Sequence, residues 1–160
     1  MTPVNPEILQ ALSSGIQSEV ATYVFYLEAA RNVKGVDIKE TLEQLAGEEK
    51  THFQILERQY DSLVRSEKWI STADILKKKG LPEINEDMTS QHKELIGKVR
   101  RINSRQEILK MALQLEVDSR DLFKNVAAQT KSSEAREVFQ QLSRFEEGHI
   151  NLINSLLARD

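Results

Sequence analysis

The amino-acid sequence predicts an all-α fold, a four-helix bundle made of two antiparallel helical hairpins joined by a long crossover. Three observations predict it. Glycine and proline are scarce, 6 and 3 in 160 residues, while Leu, Glu, Ala, Gln and Lys are abundant, a composition that favours helix. Four long stretches repeat apolar residues at the helical period. Two turn-like points, Lys34-Gly35 and the polar run Gln129 to Ser133, divide those stretches into pairs.

The first helix is expected over 6–33, with Asn5 as its cap and Pro6 at the first helical position, where proline is pre-shaped for helix. Its stripe is Leu12, Ile16, Glu19, Tyr23, Tyr26 and Ala30. Asp37-x-x-Glu40 reads as a capping box for a second helix over 38–65, with Leu42, Leu45, Glu49, His52, Phe53 and Leu56 aligned. The 38 residues of 66–103 hold Gly80, Pro82, Gly97, the only Trp and a short helical candidate at Ala73 to Lys79. So long a connection serves as a lengthwise crossover, so that the two hairpins pack about a pseudo-two-fold axis. Ser104-x-x-Glu107 opens a third helix over 105–129, aligning Leu109, Ala112, Leu113, Glu116, Arg120 and Phe123. Ser132 or Ser133 caps a fourth over 133–158, with Phe139, Leu142, Glu146, His149, Ile150 and Ile153 on one stripe.

A chain of this length suits a single domain, 1–160, with one core. It has no cysteine, which excludes disulfides, thiolate metal sites and thiol nucleophiles and fits a reducing compartment. No apolar run reaches membrane-spanning length, and Met1 to Pro6 lack the basic start and apolar core of a signal peptide. A cytoplasmic location without membrane attachment is expected. The formal net charge of -3 gives nucleic acid no concentrated basic face. The run Lys77 to Lys79 reads as solvated surface, and so does His92.

The chemistry lies in a doubled spacing. Glu49-x-x-His52 and Glu146-x-x-His149 each follow a lone glutamate, Glu19 and Glu116, by 30 residues. Positions three apart share a helix face, so each pair can offer an oxygen and a nitrogen to one ion. Folding each hairpin at its midpoint brings the lone glutamate and the pair to one height, where six ligands converge. Left uncompensated, the buried charges would cost several kcal/mol each, and only Arg120 shares their pattern. Two divalent cations would balance four glutamates with both histidines neutral. The oxygen and nitrogen donor set without sulfur suits iron first and manganese second, rather than zinc or calcium. Tyr23, Phe25, Tyr26 and Phe123 read as core aromatics. A metal-free polar core serving packing or a partner is the bland alternative, and it leaves the charges unbalanced.

This set of residues resembles the ferritin-like di-iron carboxylate proteins, rubrerythrin above all, over both hairpins. The resemblance implies a ferritin-like bundle with Glu19 and Glu116 as terminal ligands, Glu49 and Glu146 as bridging carboxylates, and His52 and His149 as one imidazole per iron. Tyr26, seven residues after Glu19, matches a family tyrosine beside the site and is the candidate catalytic side chain. Its counterpart after Glu116 is Phe123. Rubrerythrins carry a further glutamate one turn past the third-helix ligand, linked to iron movement during peroxide reduction, where this chain has Ser119. They also commonly append a cysteine-ligated rubredoxin domain, so a chain without cysteine implies a separate electron-donor protein. Reduction of peroxide or dioxygen is the implied reaction, ferritin-like oxidation and handling of ferrous iron is its alternative, and a homodimer is the implied assembly.

Overall fold

The computed structural model describes residues 5–159; Met1 to Val4, part of the segment read above as lacking a leader, and Asp160 lie outside them. Every element is helical: α1 Pro6–Asn32, α2 Val36–Ser66, α3 Thr72–Lys77, α4 Glu86–Ser90, α5 Lys93–Arg100, α6 Arg105–Gln129 and α7 Ser133–Ala158. The fold is all-α and ferritin-like, with α1, α2, α6 and α7 as the four long helices. The packing is chiefly α1 on α2 and α6 on α7, with α1 also meeting α5 and α6.

The helix starts follow local chemistry. Asn5 accepts a hydrogen bond from the Glu7 amide at 2.9 Å and Pro6 takes the first helical position. Ser104 accepts from the Glu107 amide, and Ser132, rather than Ser133, accepts from the Ala135 amide. The expected box at Asp37 and Glu40 is not the start of α2. The helix opens two residues earlier behind Gly35, whose φ of 109° is open to glycine, and Asp37 sits in the first turn, where its charge suits the helix dipole.

The crossover holds two short helices beyond the one expected. Asn85 and Ser71 cap α4 and α3, and α5 is fastened by tertiary contacts: Val99 is fully buried and Arg100 reaches the buried Glu28 at 2.7 Å. Ile84, Met88 and Ile96 pack on Val20, Val24 and Phe53 of α1 and α2. Just after α2, the Gln59 side-chain amide pairs with both backbone groups of Ile70, donating to its carbonyl at 2.5 Å and accepting from its amide at 3.1 Å.

Two apolar layers sandwich the level of the four glutamates. One contains Phe25, Tyr26 and Ala30 from α1, Ile38, Leu42, Leu45 and Ala46 from α2, Ile108, Leu109 and Ala112 from α6, and Ile153 and Leu156 from α7. The other contains Ile8 and Leu12, Leu56 and Leu63, Phe123 and Ala127, and Ala135, Val138, Phe139 and Leu142. The α1–α2 turn therefore lies at one end of the bundle and the α6–α7 turn at the other, with the crossover running the length between α2 and α6.

Candidate metal centre

Between these layers the structure brings all six predicted side chains together. Glu19, Glu49, Glu116 and Glu146 have no exposed surface, and His52 and His149 are buried. Each histidine meets the glutamate of the opposite hairpin. His52 Nδ1 lies 2.8 Å from Glu146 Oε1, and His149 Nδ1 lies 2.9 Å from Glu49 Oε1 and 3.2 Å from Glu116 Oε1. His52 Nδ1 is also 3.6 Å from Glu19 Oε2 and from Glu49 Oε2. The two imidazoles stack with centroids 5.6 Å apart.

Donor atoms converge in two groups of four, each within 4.8 Å: Glu19, Glu49, His52 and Glu146 in one, Glu49, Glu116, Glu146 and His149 in the other. Glu49 and Glu146 belong to both.

Both oxygens of Glu19 and Oε2 of Glu49, Glu116 and Glu146 are buried without a hydrogen-bond partner among the described residues. A buried polar atom left unpaired costs about 1–3 kcal/mol, so the cluster is poorly satisfied by the protein alone. Arg120, expected to share the pattern, does not relieve it. Its guanidinium turns outward to Asp121 at 3.1 Å and Glu147 at 3.0 Å, because a long side chain at the stripe's edge carries its charge to water.

In this arrangement the carboxyls compete for protons. Burial, reinforced by Glu146 and Glu49, pushes Glu19 well above the ordinary carboxylate range, and burial with Glu49 does the same to Glu116. Burial also opposes ionisation of Glu49, but the polar side chains beside it, Glu19, His149 and His52, outweigh it and hold Glu49 well below that range. Burial disfavours the charged form of each imidazole, yet the carboxylates around His52, Glu146 first, and those around His149, Glu49 first, raise both. The cluster thus gathers protons where cations would otherwise sit, and its donor set fits two small divalent cations.

Tyr26, the candidate catalytic residue, is fully buried and donates to Glu116 Oε1 at 2.7 Å. Burial and Glu116 push its phenol upward, so it stays a donor. Ser119 is buried with its hydroxyl 2.7 Å from that of Ser18, which leaves no carboxylate one turn past Glu116. Phe123 lies in the apolar layer, and His92 caps α5 away from the cluster.

Two neighbours of the cluster were missed by sequence reasoning. Glu48 Oε2 lies 3.3 Å from His149 Nε2. Phe145, 40% exposed, stacks nearly parallel on His52 at 5.1 Å. Both stand one residue before a candidate ligand and off its stripe, so periodicity carries no signal for them.

Among curated proteins none matches the chain. A solved structure of a hypothetical protein from Pyrococcus furiosus shares the fold, with a TM-score of 0.67 over 94% of this chain and 88% of that one at 18% identity. No helix among the described residues is long and apolar enough to cross a membrane. The rubrerythrin family matches residues 10–105 and 107–159, nearly the whole length, and with the carboxylate and histidine cluster in place the chain belongs to the rubrerythrin family.

Proposed function

We propose that the chain is a di-iron carboxylate redox protein, in which Glu19, Glu49, His52, Glu116, Glu146 and His149 hold two metal ions and the centre reduces peroxide or dioxygen. The observation that carries this reading is the pair of overlapping donor groups sharing Glu49 and Glu146, with five buried carboxylate oxygens that meet no hydrogen-bond donor among the described residues. Glu49 and Glu146, common to both groups, would hold both ions, Glu19 and Glu116 would each serve one, and each histidine would offer Nδ1 to its own half. Iron is the first assignment and manganese the second, because the set has hard oxygens, two imidazoles and no thiolate.

Iron bound there would supply one electron from each ion to the oxidant. The protein supplies geometry and seclusion. Tyr26 donates to Glu116 and holds that carboxylate's orientation, while the apolar layers above and below the cluster keep bulk water out and strengthen every charge interaction between them. Electrons reach the centre from a separate donor protein, and a homodimer is the assembly this reading expects.

Ser119, occupied with Ser18, favours a second reading: without a carboxylate there, the same centre oxidises ferrous iron with dioxygen, as in iron handling. Anaerobic loading with ferrous iron, followed by ion counting and rapid mixing with peroxide or air, tests both. Two ions per chain and faster oxidation by peroxide support the first reading; faster oxidation by air favours the second. Failure to bind two ions refutes both.

A further inference from the structure

The six ligands are related by the pseudo-two-fold axis, but what stands behind them is not. His149 presents Nδ1 to Glu49 and Glu116 while its outer nitrogen, Nε2, lies 3.3 Å from Glu48 Oε2. A neutral imidazole carries one ring proton. With a cation held at Nδ1 that proton sits on Nε2, where the Glu48 carboxylate 3.3 Å away can fix the ring's orientation. In the same donor group Glu116 is held by the Tyr26 hydroxyl at 2.7 Å.

The other group has no such support. Among the described residues His52 meets carboxylates through Nδ1 alone, and its face is covered by Phe145, a ring with no acceptor to offer. Neither Glu19 oxygen has a hydrogen-bond donor among the described residues, His52 Nδ1 being 3.6 Å from the nearer one. Glu49 and Glu146 are common to both groups and cannot discriminate between them. Ligands oriented beforehand lose less freedom on binding, so the supported group binds more tightly.

We propose that Glu48 is a positioning residue for His149 and that it makes the two halves of the centre unequal, the His149 half taking a divalent cation first and the His52 half second. This rests on the reading of the six side chains as metal ligands. Glu48 is exposed, so it acts on the ring's orientation and contributes little to folding.

The test is anaerobic calorimetric titration of the full chain with manganous ion, and with cobaltous ion where the visible spectrum reports the ligand field. The wild type should show two events differing in affinity by about tenfold or more, and Glu48→Ala should weaken only the tighter by about 10- to 100-fold, the scale of one outer contact. Glu48→Gln, whose amide oxygen can stand in the same place beside Nε2, should restore most of that affinity. The cobalt spectrum at one equivalent should change in Glu48→Ala and return in Glu48→Gln, with thermal midpoints in chelator unaltered. His52→Ala should remove the weaker event and His149→Ala the tighter. Equal events in the wild type, no effect of Glu48→Ala, or a tighter event that survives His149→Ala overturns the proposal. A wild type that binds no cation overturns the underlying assignment of the ligands.

Discussion

Raising the pH from about 5.5 to about 7.5 in the presence of a chelator should destabilise the protein, whereas the same change with manganous or ferrous ions bound should not. The carboxyls of Glu19 and Glu116 are raised by burial and by their neighbours. Their folded pKa values exceed their unfolded ones, so their contribution is complete below the unfolded pKa and is lost as the pH rises. Each group that keeps its proton when folded and loses it when unfolded removes about 1.4 kcal/mol per pH unit. Over the window the two remove about 5 kcal/mol, comparable to the whole stability of a small domain, and water entering the cluster makes this an upper bound. His52 and His149 are raised as well, so above about pH 6.5 they add to the loss with the same sign. Glu49 is lowered. Its contribution is complete above the unfolded carboxylate pKa and fades only at more acid pH, outside the window. Bound cations displace these protons, so loading reverses the trend. Urea unfolding followed by circular dichroism, with chelator and with excess metal at each pH, measures both slopes. A metal-free stability that is flat or rises with pH, or equal slopes in the two series, would refute the reasoning.

Four substitutions probe the rest. Glu146→Gln weakens a ligand shared by both donor groups, so elemental analysis should find fewer than two ions per chain. Tyr26→Phe removes the 2.7 Å hydrogen bond to Glu116; the loaded protein should lose about 1–3 kcal/mol in urea unfolding with its ion count unchanged. In Gly15→Ala the new Cβ would meet Phe123 Cε1 at 3.0 Å and Leu56 Cδ1 at 3.1 Å. Overpacking of about 1–3 kcal/mol then exceeds the helical gain of about 1 kcal/mol, and the thermal midpoint should fall. Gln59→Leu strands both backbone groups of Ile70 and should cost about 2 kcal/mol or more by the same unfolding assay.

The centre was legible in the sequence because a helix converts spacing into direction. Glu19, Glu49, Glu116 and Glu146 stand in phase with apolar neighbours, and a residue in phase with the core points at it. The same rule misplaced Arg120, four residues after Glu116, because phase fixes the Cβ direction and not where a long side chain ends. It was silent on Glu48 and Phe145, which touch the His149 and His52 rings from outside the stripe. The crossover was legible in length only. Helices as short as α4 and α5 have little intrinsic stability, and what holds α5 is Val99 in the core and Arg100 on Glu28, contacts with residues far away in sequence. At the start of α2, the glycine's freedom to take a positive φ set the boundary, and the acidic pattern two residues on became part of the first turn.

The repeated interval of 30 residues has a geometric meaning in this topology. Because the α1–α2 turn and the α6–α7 turn lie at opposite ends of the bundle, each hairpin sets the height of its own ligands independently of the other. One residue inserted between a turn and a ligand would raise that ligand by about 1.5 Å and swing it by about 100°, enough to take a carboxylate out of a group. The crossover, residues 67–104, lies outside both intervals, so its length enters neither of them. Registration of the centre therefore resides in Val33 to Gly35 and Thr130 to Ser132. The contacts that join the two hairpins at that level, His52 to Glu146 and His149 to Glu49, align one half with the other. The same side chains thus serve as candidate ligands and as the lock between the hairpins, so a cation bound among them would fasten the bundle where the protein's own hydrogen bonds leave it least satisfied.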